Sequence, residues 1–396
     1  MQALILDAEA KTAKLKLIPI PTPNSNEVLI KIHSISLNPV DPLYVAHPLA
    51  STGRTIGSDF SGTVIALGSS VPTNAPVKPG IRVAGFLQGV CSVNDRPGAF
   101  AEYVVADWDL IWKVPDSVSF EQAAGVSLVA LTAAQGLWYR LGLSAPFQWD
   151  ESSVEAEHPE WKRFNREREE LPEEKVLNFF VYGASTAVGL YVAQMARISA
   201  QKSGRKLRLY GAASQKKWEM LTSKPYRYDG VVDYHEADWP DQVKGLVGEG
   251  AVHFAYDAIS EDNSVAHVSS LLAKGGRIAI VRSKPAGAWN VENVIGEPIY
   301  GAVWEGLGAE IQYSGFVVPR SEAARKFAVD FYSWLSNAAG KVLEPVRVRI
   351  MPGGLEKVVE DGFVLLGSGK VSERAKSNRD EEWMKPVQGE KLVYNI

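Results

Sequence analysis

The chain has 396 residues, 46% of them hydrophobic and 22% charged, a composition that suits two soluble globular domains with a sizeable core. Its formal net charge of −4 gives no electrostatic reason to expect nucleic acid or an anionic membrane as partner. One cysteine, Cys91, excludes an internal disulfide and any cysteine-rich zinc site, and the six histidines show no metal-ligand spacing, so no metal is expected.

In chain order, Met1-Gln2-Ala3-Leu4-Ile5-Leu6-Asp7 is a short apolar run without a basic n-region, which reads as a first strand and not as a leader. Val28–Ile32, Gly62–Gly68, Ile81–Phe86 and Phe100–Val105 are further β-branched or alternating runs separated by Pro- and Gly-containing turns. Strands so spaced, with no long helix between them, predict a partly open β-barrel or sandwich. Cys91, beside Val90, reads as a small buried hydrophobe. Ser119, with Glu121 and Gln122 after it, has the form of a capping box, and a second helix is predicted near Thr132–Leu141. From residue 176 to 315 the pattern alternates: strands at Leu177–Tyr182, Leu207–Ala212, Gly230–Tyr234, Val252–Ala258 and Gly276–Val281, with a helix at Ala187–Ala200. Such alternation predicts a doubly wound parallel sheet. Residues 321–340 read as helix, and the tail returns to strands. The expected organisation is a β-rich domain (1–130 and 316–396) interrupted by an α/β domain (131–315).

Two charged stretches interrupt this plan. Asp150–Lys175 carries ten acidic and five basic residues within an insertion at 147–176, and Glu373–Gln388 is similar. Both read as surface excursions, with partner binding as the alternative for the first. No window approaches the ~20 apolar residues of a bilayer span. A cytoplasmic protein in a reducing compartment is therefore expected.

The strand Leu177–Tyr182 runs into Gly183-Ala184-Ser185-Thr186-Ala187-Val188-Gly189 and then a helix. A glycine turn there lets backbone approach a diphosphate, which the helix N-terminus stabilises. The strict Gly-x-Gly-x-x-Gly form is absent, so an ordinary strand–helix turn is the competing reading. The next strand ends in Ala213-Ser214-Gln215-Lys216-Lys217. An acid at this tip would accept a ribose 2′-hydroxyl; two lysines and a serine instead suit a 2′-phosphate and favour NADPH over NADH.

Asn38-Pro39-Val40-Asp41, Gly57-Ser58-Asp59-Phe60-Ser61-Gly62, Gly80-Ile81-Arg82-Val83, Gly98–Tyr103 and the Val181–Gly189 turn together resemble the medium-chain dehydrogenase/reductase superfamily over nearly the whole chain. The zinc alcohol dehydrogenases of that family place a cysteine in the first segment and Gly-His-Glu in the second. Here neither is present, so the resemblance is to the zinc-free quinone and enoyl reductases. Within these, the Gly183 turn, the Ser214–Lys217 turn, and Val371-Ser372 with Gly389-Glu390-Lys391-Leu392 look most like fungal trans-acting enoyl reductases that serve polyketide synthases. The resemblance implies a GroES-like β-rich catalytic domain and a Rossmann NADPH-binding domain.

It also implies residue roles. Ser185, Thr186, Ala187 and Val188 would hold the diphosphate, Ser214, Gln215, Lys216 and Lys217 the 2′-phosphate, and Tyr234 the adenosine end. Val281, Arg282, Val371 and Ser372 would flank the nicotinamide, and Val40, Asp41, Pro42 and Leu43 would line the same cleft. Thr132, Ala133, Ala134, Gln135, Gly136, Leu137, Trp138 and Tyr139, with Gly296, Glu297, Pro298, Ile299 and Tyr300, would form acyl-substrate walls. Relatives can place a lysine in the cleft where this chain has Leu43.

The expected reaction adds hydride to the β-carbon of an enoyl thioester carried by a polyketide synthase acyl carrier domain. Without zinc, the enolate oxygen must meet hydrogen-bond donors such as main-chain N–H groups or Thr132. The α-carbon would take its proton from Tyr44, another donor or water. Thr132 has the alternative of bonding its own helix, and Tyr44 of packing. Two other functions stay open: reduction of small free enones or quinones, and a non-catalytic NADPH-binding interaction subunit. A monomer is expected.

Overall fold

The computed structural model describes residues 1–158, 176–248, 251–371, 374 and 379–396. The strands are β1 (Gln2–Asp7), β2 (Thr12–Leu17), β3 (Glu27–Ser36), β4 (Asp59–Leu67), β5 (Arg82–Phe86), β6 (Tyr103–Asp107) and β7 (Ile111–Lys113). Then come β8 (Val176–Tyr182), β9 (Lys206–Ala212), β10 (Gly230–Val232), β11 (Val252–Asp257), β12 (Leu272–Ile280) and β13 (Ile299–Tyr300). The last four are β14 (Ile311–Tyr313), β15 (Phe316–Val318), β16 (Val348–Met351) and β17 (Lys391–Asn395). They fall into two compact units: Met1–Leu128 with Leu307–Arg320 and Ala328–Ile396, and Val129–Gly306 with Ser321–Phe327.

The first unit is built on a seven-stranded sheet in the order β16-β17-β3-β4-β5-β7, with β6 also on β3. Alternation along β3 buries Val28, Ile30 and Ile32 against Phe60, Val64, Phe100 and Val104. The β1–β2 hairpin joins through Leu4 N–H to Phe100 O and Leu6 N–H to Arg54 O. The helix at Phe120–Ala124 opens on the capping box read from the sequence: Ser119 Oγ accepts from Gln122 N, and Gln122 Oε1 from Ser119 N. Residues 307–320 belong here because Gln312 exchanges bonds with the 93–94 loop, Val93 N–H to Gln312 O and Gln312 N–H to Asn94 Oδ1.

The second unit has a six-stranded sheet in which every pair is parallel, ordered β10-β9-β8-β11-β12-β13. Counted from β8, that order is 3-2-1-4-5-6, the doubly wound arrangement whose direction reverses between β8 and β11. The strands are near-continuous apolar runs, such as Phe179-Phe180-Val181, because helices cover both faces. The expected helix at Thr132–Leu141 is an α-helix at Ser127–Ala134 that loosens into a π-helix at Gln135–Arg140. The loosening falls where Gly136 lies so close to Tyr256 that a Cβ would sit 2.3 Å from its ring.

The described part of the 147–176 insertion is anchored. Phe147 and Trp149 pack on Phe327, and the helix Glu151–Glu157 ends in a carboxylate that accepts Ser321 Oγ at 2.6 Å and Ala323 N at 2.8 Å. Ser321 in turn caps the helix Glu322–Ala338 by accepting Ala324 N. Trp161 and Phe164 of the insertion lie outside the described residues, as does part of Glu373–Gln388.

Candidate functional site

In doubly wound sheets ligands bind beyond the carboxyl ends of the strands, where the strand order reverses. That place lies between the loops after β8 and β11. The β8 loop turns at Gly183, whose φ of +71° and close neighbour Ile259 both favour glycine. A Cβ on Gly189 would meet Gly183 O at 2.4 Å, so the second glycine lets the helix start pack on the turn. Thr186 is the N-cap of the helix Ala187–Ser203. Its hydroxyl donates to Gly183 O at 2.8 Å and accepts from Gly189 N at 3.0 Å. The Thr186 hydroxyl is thus used in shaping the turn, while Ser185 is half-exposed at its tip. Ala187 and Val188 form the first helical positions. The residues fit a dinucleotide diphosphate.

After β9, Ser214 leads into a short 3-10 turn, Gln215–Lys217, with Gln215 and Lys216 exposed and Lys217 half-buried. A carboxylate from outside the Ser214–Lys217 segment stands beside this tip and departs from the acid-free turn expected from sequence. Asp233, just past β10, accepts Gln215 N at 3.3 Å, and its other oxygen pairs with His235. Burial pushes Asp233 up, but hydrogen bonds from His235 and Gln215 outweigh this and hold it below the usual carboxylate range. Tyr234, with 42% of its surface exposed, packs edge-on to Tyr182.

After β12, Val281 N–H donates to Ser260 Oγ at 3.0 Å, and the Arg282 guanidinium lies 2.7 Å from the buried Glu261 carboxylate. Ile280 is in register with Tyr300, so Gly296–Tyr300 arrives alongside the same strand end. Gly296 and Glu297 are exposed, Pro298 and Tyr300 half-buried and Ile299 buried. Of Thr132–Tyr139 only Thr132 has appreciable surface; Ala133 to Tyr139 are buried. Trp138 donates to Ser199 Oγ, and Tyr139 packs against Trp149 and Phe327 with its hydroxyl on Ser321. These side chains build the unit's interior, and of the expected wall at 132–139 Thr132 is the residue with surface. The Thr132 carbonyl accepts Tyr256 Oη at 3.0 Å.

In the first unit, Val40–Leu43 begin the helix Val40–Ala46. Asp41 and Pro42 are buried, so Val40 and Leu43 are the ones that offer surface. Tyr44 is partly buried against the first unit's core. Val371 is 39% exposed, whereas Ser372 lies outside the described residues.

Asp41 belongs to a buried polar cluster. It accepts Asn38 N at 2.7 Å and Ser58 Oγ at 2.9 Å; Asn38 Nδ2 donates to Ser58 Oγ and Asp59 Oδ2. Lys391 Nζ donates to Asn38 Oδ1 at 2.5 Å and to Asp59 Oδ2 at 3.1 Å, while Leu128 N–H holds Asp59 Oδ1. Burial lifts both carboxyls: Asp41 reaches about 7 despite its hydrogen bonds, and Asp59 is raised with Lys391 opposing. The segments Asn38–Asp41 and Gly57–Asp59, together with Lys391, are therefore joined in one network. Among the described residues, no group of three or more His, Cys, Asp or Glu is placed to hold a metal ion, and no helix is long and apolar enough to cross a membrane.

Residues 24–116 match the alcohol dehydrogenase GroES-like domain. The chain is 27% identical over 403 residues to a trans-enoyl reductase of Alternaria alternata, covering 100% of this chain and 98% of the relative. A trans-enoyl reductase of Xenoacremonium sinensis is 28% identical, over 96% of this chain and 90% of that one. Among solved structures, the quinone oxidoreductase of Coxiella burnetii (TM-score 0.63, 20% identity, 100% and 99% coverage) and the CurK enoyl reductase (TM-score 0.64, 15% identity, 100% and 98% coverage) share the fold.

Proposed function

We propose that this chain, a medium-chain dehydrogenase/reductase of the quinone and enoyl reductase branch, is a trans-acting NADPH-dependent enoyl reductase. Its substrate would be an α,β-unsaturated acyl thioester on the carrier domain of a fungal polyketide synthase. The observation that carries the reading is the 3-2-1-4-5-6 parallel sheet with the Gly183 turn and its capped helix at the point of reversal. The fold implies a nicotinamide cofactor, and relatives over nearly the full length are named trans-enoyl reductases.

When bound, the cofactor supplies hydride to the β-carbon. The chain's own residues then have distinct tasks. Ser185 and the backbone of Thr186, Ala187 and Val188 would hold the diphosphate. Ser214, Gln215, Lys216 and Lys217 would take the 2′-phosphate, with Tyr234 at the adenosine end. Val281, Arg282 and Val371 would flank the nicotinamide, and Val40 and Leu43 are proposed for the same cofactor. Thr132, Pro298 and Tyr300 offer surface toward an acyl chain. The enolate oxygen needs donors without a metal, for which main-chain N–H groups and the Thr132 hydroxyl are the proposal, with Tyr44 as proton donor to the α-carbon.

Steady-state kinetics test this directly. With NADPH, an enoyl thioester of N-acetylcysteamine should be reduced with a kcat/KM at least tenfold above that for a simple quinone, a difference of about 1.4 kcal/mol. A quinone reduced as well as the thioester would favour small free acceptors. NADPH binding without turnover of either would favour a non-catalytic subunit.

A further inference from the structure

The two loops at the reversal point touch. An added Cβ on Gly183 would lie 2.8 Å from Ile259 Cγ1, so the loop after β11 presses on the turn after β8. That second loop is held in an unusual shape. Ser260 and Asp262 both have left-handed backbone, φ +52° and +51°, which non-glycine residues rarely adopt without local compensation. The compensation is Asp257, fully buried at the end of β11. One of its carboxylate oxygens accepts Ile259 N at 2.9 Å and Ser260 N at 2.7 Å; the other accepts Ser264 Oγ at 2.5 Å. Ser260 Oγ donates to Asp257 O at 3.0 Å and accepts the Val281 N–H at 3.0 Å. One residue further on, buried Glu261 holds the Arg282 guanidinium. Val281 is the first residue past β12, where the ladder no longer sets the chain's direction, so Ser260 sets it instead.

We propose that Asp257 and Ser260 are positioning residues. Together they hold the loop after β11 as a strained bracket that fixes Val281 and Arg282 relative to the Gly183 turn. On the NADPH reading above, on which this inference rests, the bracket sets the distance between the diphosphate and nicotinamide ends of the site. It acts on the ring end and leaves the 2′-phosphate turn alone, so it separates hydride transfer from coenzyme preference. Hydride transfer falls steeply when donor and acceptor are misplaced by a fraction of an ångström, whereas overall coenzyme affinity is spread over many contacts.

The test uses the whole protein with NADPH, read by nicotinamide fluorescence and by single-turnover reduction of the same thioester. Ser260→Ala removes the acceptor for Val281 N–H, and Ser260→Gly also relieves the left-handed φ. Asp257→Asn keeps an acceptor for the two loop amides. Both Ser260 variants should bind NADPH within about threefold of wild type, shift the emission of the bound nicotinamide, slow hydride transfer at least tenfold, and keep the NADPH-over-NADH ratio. Asp257→Asn should retain more of the rate than Asp257→Ala. Unchanged emission and rate in Ser260→Gly, the variant least prone to misfold, would overturn the bracket. So would a loss of affinity and rate in equal proportion. Wild-type protein that binds NADPH while the variants match it would sink the bracket alone; wild-type protein that binds no NADPH would sink the functional reading with it.

Discussion

At the scale of single residues, the proposed preference for NADPH turns on charges at one turn. Lys216 and Lys217 offer cations, but Asp233 stands behind Gln215 and would oppose a phosphate. Near water a single opposed charge is worth on the order of 1 kcal/mol, or about fivefold in affinity. Asp233→Asn should therefore raise the NADPH-over-NADH ratio several-fold, and Lys217→Glu should reverse it; fluorescence titration with both coenzymes measures each. Unchanged NADPH affinity in Lys217→Glu would mean that the 2′-phosphate sits elsewhere. The lysines were readable because they are adjacent in sequence. Asp233 was not, since it reaches the turn only through the parallel pairing of β10 with β9.

At the scale of elements, what was legible followed how local the determinant was. The Ser119–Gln122 capping box and the glycine turn depend on residues within a few positions, and both formed. For Thr186 the hydroxyl serves the helix cap, donating to Gly183 O and accepting from Gly189 N, a use that only the turn's geometry fixes. The stretch Ala133–Tyr139 is buried by contacts that no local pattern gives: Tyr256 presses on Gly136, Gln135 donates to Val303 O, and Phe327 packs on Tyr139. For the helix Val40–Ala46 the decisive contact is also distant, through Asp41 and Ser58. Asp41 is raised by burial from an ordinary carboxylate value to about 7, so the folded state holds a proton that the unfolded chain releases. Its contribution to stability is full below about pH 4 and is lost as pH rises toward about 7. Asp41→Asn should flatten the fall in Tm between about pH 5 and 7, with Asn38 and Ser58 still partnered. A wild-type Tm that rises over that interval would show that the carboxyl is ionised throughout.

At the scale of the molecule, the last strand closes the first unit. β17 sits between β16 and β3, and Lys391 carries a buried cation from the end of the chain to residues 38 and 59. In the sequence Lys391 stands in the Gly389-Glu390-Lys391-Leu392 motif and Asp59 in Gly57-Ser58-Asp59, with nothing local to pair them. Their pairing joins residues 332 positions apart, which no local pattern encodes. Removing one member of a buried pair leaves the other charge stranded, at a cost of about 3–5 kcal/mol, whereas removing both can be nearly neutral. Lys391→Met should therefore loosen the first unit far more than Lys391→Met with Asp59→Asn. A global unfolding curve would not say which of the two compact units loosened, so hydrogen exchange is the better measurement for this pair. In Lys391→Met the amides of β3 and β4 should exchange at least a hundredfold faster, while those of β8 and β9 keep their protection. The double variant should recover most of the loss. Equal acceleration in both sheets, or none in either, would show that the pair does not hold the first unit together.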